Sequence, residues 1–302
     1  MIAYTWSSDS ERCRRAGIPK EHMVTKSKCE MAVEIVCHAR ELGVRFNWVG
    51  VDGGYGKDPA FLRNLDMTGE IFVADVHKDQ TIYLDNPNPF VPGKKPGRGR
   101  TPIRFISQVK PIRVDRWLAE QPQNTWQTMV IRQGTKGDVV VEALHRLVWV
   151  WDGEEESAHH WHLVVRREID SPKEIKYSLS NAPVQTPTER LAFMQGQRFW
   201  VERSLQDGKS EAGLGNYQVR KWNSWHHHMA LVLLTMLFML ETRLMNKHDY
   251  PLLSCRDIKK LLAQFLPRRD TNAEEVLRQM EQRHKKRQAA MASALRIQSR
   301  GS

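Results

Sequence analysis

Apolar residues recur at helical spacing from Ser27 to Leu42, with Ala32, Val33, Val36 and Ala39 on one side. Ser27-Lys-Cys-Glu30 in front of them is a capping box, and Gly43 behind them is a stop signal. The apolar-rich run Val44 to Val51 reads as a buried strand ending at Asp52-Gly-Gly-Tyr-Gly56. Asp58-Pro59 places an N-cap before a proline at the first helical position, so a second helix opens there and ends near Gly69. Ile71 to Val76 is the next strand. Helix, strand, helix and strand joined by short connections predict a parallel α/β unit.

Beyond residue 104 the period changes to that of strands. Trp126–Arg132, Asp138–Trp151, His159–Glu168 and Glu174–Leu179 are separated by Gly, Asp and Pro turns. This β-rich block lies between two α/β portions and reads as an insertion. Trp149, Trp151 and Trp161 within it pack on a sheet face, or one of them stacks on a displaced base. Thr186-Pro-Thr-Glu189 is a capping box with proline at the first helical position, and Gly196 offers a break in the helix it opens. The next helix runs from near Asn223 through Met245. Its apolar run, Met229 to Leu240, is too short to span a bilayer and reads as a buried helix. From Arg268 onward the chain is charged, including Arg283-His-Lys-Lys-Arg287, and reads as an exposed helix or a disordered nucleic-acid-binding tail.

Charge adds a partner to this picture. Of 302 residues, 46 are Lys or Arg and 35 Asp or Glu, a net charge of +11 that favours a polyanion, DNA or RNA first. Pro87 to Pro102 is an extended basic loop that either contacts phosphates or is simply solvated. Cys13, Cys29, Cys37 and Cys255 have no CxxC spacing and read as reduced cytosolic thiols. His226-His-His228 cannot converge on one ion from consecutive helical positions, and His160 with His162 lacks a third ligand, so neither is a convincing metal site.

Two places concentrate candidate chemistry. Asp52 falls at the carboxyl end of a parallel strand, where α/β sheets place their sites, although Asp-Gly-Gly is also ordinary turn chemistry. The second is Arg198-Phe-Trp-Val-Glu202 through Lys209. At 100° per residue Glu202 lies about 40° and Lys209 about 20° from Arg198, so one stripe holds a cation, a carboxylate and a cation. Val201, Leu205, Gly208 and Ala212 fall beside it, putting the acid at the edge of the expected buried face. The alternative is a solvated i,i+4 Arg–Glu pair of little energetic weight.

Trp48-Val-Gly-Val-Asp52-Gly-Gly-Tyr-Gly-Lys-Asp-Pro-Ala-Phe resembles the segment around the second catalytic acid of bacterial insertion-sequence transposases of the DDE type, in the group like insertion sequence 701. Arg198-x3-Glu202-x6-Lys209 resembles their C-terminal signature, and Glu211-Ala-Gly-Leu-Gly-Asn-Tyr-Gln-Val-Arg-Lys-Trp continues in the same manner. The resemblance implies an α/β fold: an RNase H-like mixed sheet flanked by helices and interrupted by a β-rich insertion domain. It divides the chain into a first part of the catalytic core (1–85), the insertion (86–185), the C-terminal helices of the core (186–250) and a basic helical or disordered tail (251–302).

The implied activity is DNA transposition by cleavage and strand transfer at transposon ends, with two divalent ions, Mg²⁺ or Mn²⁺. Asp52 and Glu202 would be catalytic metal ligands, and Arg198 and Lys209 would bind DNA phosphate. The implied partners are transposon-end and target DNA and a second copy on DNA, with no membrane, in a bacterial, nucleoid-associated cytoplasmic setting. Two departures stand out. The signature's Tyr is Gln195 here, and the family's first acid, expected upstream, has no substitute in Asp9 or Asp75. The expectation is therefore an N-terminally truncated transposase with two of three acids. Its rivals are a non-catalytic DNA-binding or inhibitory remnant and another RNase H-like nuclease.

Overall fold

A computed structural model of the protein describes residues 9–94, 97, 100–134, 137–169, 171–218, 220–266 and 272–298. Lys95 and Arg98 of the basic loop and Arg268 at the start of the charged tail lie outside the described residues. The chain divides into two compact units, Met1–Phe238 and Met239–Ser302.

The first unit is built on one mixed sheet. After helix α1 (Ser10–Ala16) comes α2 (Lys28–Glu41), whose Ser27 and Glu30 form the reciprocal capping box that the sequence predicts. Strand β1 (Val49–Val51) follows, then a single helical turn α3 (Gly53–Gly56), helix α4 (Pro59–Met67) and strand β2 (Phe72–Val76). A short ribbon, β3 (Thr81–Ile82) with β4 (Ile112–Arg113), leads into α5 (Val114–Ala119). Four long strands come next: β5 (Gln127–Gly134), β6 (Gly137–Val150), β7 (His159–Glu168) and β8 (Ile175–Ser180). The strand order is β1-β2-β8-β7-β6-β5, with β1 and β2 parallel and the remaining neighbours antiparallel. A mixed sheet with flanking helices is the α/β class that the helix–strand alternation predicts, and the β-rich segment extends the same sheet through β8.

Alternation along the strands gives this sheet two different faces. On one face Phe72, Ala74, Val76, Val148, Leu163, Val165 and Leu179 join Leu62 and Leu65 of α4 in the main core, with Val33 and Val36 of α2 packed against it. The other face is covered by α6 (Thr188–Gly196), which buries Leu191 against Val164 and Ala192 against Val141 and Ala143. This second face also holds Asp75, Ser178, Arg166, His145 and His162, a polar island within an otherwise apolar layer.

Local expectations fail in four places. The strand expected over Val44–Val51 is three residues long, because Gly43 (φ 76°) and Val44 close the end of α2. The Val44 amide donates to the Ala39 carbonyl (2.9 Å) as in a Schellman cap, and the Val44 side chain is exposed. At α6, Pro187 rather than Thr186 takes the N-cap position, and no side chain caps the helix. The next helices are α7 (Arg198–Ser210) and α8 (Trp222–Met245).

On α7 the expected buried strip is open: Val201 and Leu205 are 59% and 48% exposed and only Gly208 is buried, since among the described residues nothing covers the remainder. Helix α8 is not the buried helix that its apolar run suggests. Val232 and Met239 are buried, but Leu233, Leu234 and Leu237 are exposed, and by length and composition this helix is long and apolar enough to cross a membrane.

In the second unit, α9 (Cys255–Phe265) begins with a reciprocal Ser254–Asp257 capping box and seats Cys255 and Ile258 on Met239. The helix α10 (Ala273–Gln298) carries Arg283–Arg287 on exposed positions, so this part of the tail is an exposed helix. None of the four cysteines is in a disulfide.

Candidate active site

The break between α6 and α7 aims the candidate residues at the polar island of the sheet. Gly196 ends α6 where a side chain would touch Ile131, and Gln197 joins the two helices with an αR backbone. Arg198 therefore starts α7 directly over β2. One guanidinium nitrogen donates to Asp75 Oδ2 at 2.6 Å, and the other pairs with Glu202 Oε1 at 3.1 Å, one turn along α7. Arg198 thus bridges the sheet to the helix acid.

The sheet residue that meets Arg198 is Asp75, which the sequence alone does not single out. It reads as an acid on a later strand, yet β1 and β2 pair as far as Val51↔Ala74, so Asp52 follows the last paired residue of one strand and Asp75 that of the other. The signal was present: an acid inside the apolar strand Phe-Val-Ala-Asp-Val must find partners if it is to be buried. Those partners are the fully buried Ser178, whose hydroxyl donates to Asp75 Oδ1 at 2.6 Å, and Arg198. Gln195, 4% exposed, donates its amide to Ser178 Oγ at 2.7 Å and accepts from Arg166 Nε at 3.0 Å. A continuous chain of polar contacts thus runs Arg166–Gln195–Ser178–Asp75–Arg198–Glu202. The side chain of Gln195, the signature position that departs from Tyr, joins Arg166 to Ser178 in it.

Asp52 caps the turn α3. Its Oδ1 accepts from the Gly54 and Tyr55 amides at 2.8 and 3.3 Å, so the Asp-Gly-Gly turn chemistry and the strand-end acid are the same residue. That turn passes directly over β2, and a Cβ at Gly56 would sit 2.1 Å from the Asp75 carbonyl oxygen. Only glycine fits.

Glu202 has a side chain 67% exposed, and it shares an open depression with Leu205, Gln206, Lys209 and Ser210. The stripe of Arg198, Glu202 and Lys209 therefore exists, with Glu202 on open surface instead of at the rim of a buried cleft. Residues 1–138 match the DDE superfamily endonucleases. The matched stretch contains Asp52 and Asp75 and ends before Arg198, Glu202 and Lys209. The likeness is to an endonuclease superfamily and covers less than half of the chain. No curated protein matches the chain.

A hard divalent ion takes about six oxygen ligands, largely from carboxylates and water. Asp52 and Glu202 are suitable donors, each with one carboxylate oxygen outside the contacts above, while both Asp75 oxygens are engaged. Among the described residues no three acidic, His or Cys side chains converge on one point. As arranged, these residues do not make a complete divalent-ion site.

Two further features of the sheet lie off this site. His162 Nε2 faces only the carbonyls of Ala182 and Pro183 (3.0 and 3.1 Å), so it must carry the proton, and its Nδ1 accepts from His145 Nε2 at 2.6 Å. Burial, with His162 alongside, pushes His145 down to about 4. The tryptophans are sheet-bound: Trp161 is in the core, Trp149 stacks on His160 (centroids 4.5 Å apart), and Trp151 Nε1 donates to the Glu155 carbonyl.

Proposed function

We propose that this chain is a transposase polypeptide of the DDE type, with an RNase H-like sheet, acting on the phosphodiester bonds of transposon-end and target DNA in the bacterial nucleoid. The observation that supports it best is the bridge made by Arg198, which ties the sheet acid Asp75, neighbour of Asp52, to the helix acid Glu202. On this reading Asp52 and Glu202 would supply part of the ligand set of Mg²⁺ or Mn²⁺, each through its remaining carboxylate oxygen. Such an ion would activate the attacking oxygen and stabilise the leaving oxygen of the displacement. Arg198 presents a planar fork to phosphate and Lys209 a point charge on the same stripe.

A second reading is favoured by one specific observation, the absence of a converged set of ligands among the described residues. It makes the chain a DNA-binding, non-catalytic member of a transposase assembly that limits active copies. The test is Mg²⁺- or Mn²⁺-dependent cleavage and strand transfer on a transposon-end duplex. Activity abolished by Asp52→Ala and by Glu202→Ala supports the first reading. Activity that survives both removes the site assignment, and binding without cleavage selects the second.

A further inference from the structure

Arg166 is 5% exposed, yet among the described residues it has no carboxylate within ion-pair distance; its one hydrogen bond goes to the neutral Gln195. A buried cation left without a direct countercharge is costly, and such groups are normally paired. Burial lowers its proton affinity; Glu168 and then Asp75 oppose this through their charge, and like-charge repulsion from Arg132 adds to the lowering.

Arg132, on β5, is half-buried and likewise has no ion pair among the described residues. Its guanidinium lies over the Phe199 ring, 3.7 Å from the centroid. Gln195, Arg198 and Phe199 are neighbours around the break between α6 and α7, so three arginines from two strands and a helix gather at one junction. Only Arg198 is neutralised directly, by Asp75 and Glu202.

We propose that Arg132 and Arg198, with Arg166 buried behind them, form a phosphate-binding subsite at the α6–α7 junction that holds a backbone phosphodiester beside the site. This deepens the DNA-processing function proposed above and rests on it for the identity of the ligand. Phe199 seats the Arg132 fork through a cation–π contact, so its charge is pre-oriented and little rotamer freedom remains to be lost on binding. The buried Arg166 acts through its field: replacing water with protein around it raises the positive potential that an incoming phosphate meets. The β-rich segment thus supplies charge to the same junction that carries Arg198.

The experiment is a salt titration of binding to a labelled DNA duplex by fluorescence anisotropy, with the full chain, its Arg132→Gln variant and its Phe199→Leu variant. One lost phosphate contact lowers the slope of log K against log salt by about 1, which at about 0.15 M salt is roughly a fivefold weaker affinity. Arg132→Gln is expected to show that loss. Phe199→Leu, which keeps the charge and removes its seat, is expected to weaken affinity less with the slope retained. Thermal-shift measurements with inorganic pyrophosphate run in parallel: protection of the unmodified chain is expected to fall in Arg132→Gln.

If the unmodified chain binds DNA and Arg132→Gln leaves slope and affinity unchanged, the subsite is wrong while the DNA reading stands. If the chain fails to bind DNA but pyrophosphate protects it through Arg132, the DNA reading is wrong while the anion subsite stands. If pyrophosphate protects both proteins equally, or neither, and DNA does not bind, both are wrong.

Discussion

Ser178→Ala probes the polar chain at its most enclosed point. Ser178 is fully buried and makes two contacts: its proton goes to Asp75 Oδ1 at 2.6 Å, and its oxygen accepts the Gln195 amide at 2.7 Å. Alanine removes both. The bond to the carboxylate is charge-assisted and contributes roughly 1.5–3 kcal/mol, and stranding a buried amide donor costs about 1–3 kcal/mol more. Gln195 is 4% exposed, so water has little access to repair the loss, although some shift of side chains into the vacated space will recover part of it. The expected destabilisation is about 2–4 kcal/mol.

A built-in comparison makes the reasoning refutable. Ser180 is also fully buried and also makes two hydrogen bonds, donating to the Phe72 carbonyl at 2.6 Å and accepting from the Ala182 amide at 3.2 Å. Neither of its partners is charged. Ser180→Ala should therefore cost about 1–2 kcal/mol, less than Ser178→Ala. The assay is urea unfolding followed by tryptophan fluorescence, with midpoints compared at constant slope. Equal costs, or a larger cost at Ser180, would show that the carboxylate does not set the energetics of the island. A Ser178→Ala loss below about 0.5 kcal/mol would show that the chain of contacts has no energetic weight.

Glu202→Gln should change stability by less than about 0.5 kcal/mol, because the side chain is 67% exposed, while abolishing any metal-dependent strand cleavage; a large loss of stability would mark it as structural instead. Gly56→Ala forces a Cβ to 2.1 Å from the Asp75 carbonyl, so the α3 turn must lift off β2. A loss above about 2 kcal/mol or insoluble protein is expected, and a well-folded variant would contradict the close approach. For pH, His145 is held down to about 4 in the folded chain against an unfolded value near 6.5, so the unfolded chain takes up protons first. Its stabilisation is full above about pH 6.5 and is lost as pH falls towards 4, on the order of 2 kcal/mol after discounting for its partial exposure. The urea midpoint should fall over that window, and His145→Gln should flatten the fall. His159, raised by Asp66 and Glu155, works in the opposite sense and loses its contribution as pH rises, which is why the variant is needed to isolate the His145 term.

What the sequence made legible were features decided within a few residues. The Ser27–Glu30 capping box, the Asp58-Pro59 helix start and the break at Gly196 depend on local backbone chemistry, and each forms where its residues predict. Features decided outside their own segment were less legible. Val44 has strand-like chemistry but is claimed by the end of α2, and Leu233 has the chemistry of a buried helix without a covering element among the described residues. At the candidate site the same division holds. Asp52 and the Arg198–Glu202 pair were visible from a strand end and an i,i+4 spacing.

Asp75 was not visible, because its neighbours Ser178 and Arg198 lie 103 and 123 residues away. Its half-buried position in an apolar strand becomes tolerable through them. An acid inside an apolar strand therefore carries more information than its own segment reveals: its burial requires a donor, and the donor must come from elsewhere in the fold. For Asp75 the donors are a buried Ser and a helix-start Arg, which join β2 to β8 and α7 and so to the junction that Arg132 and Arg166 share.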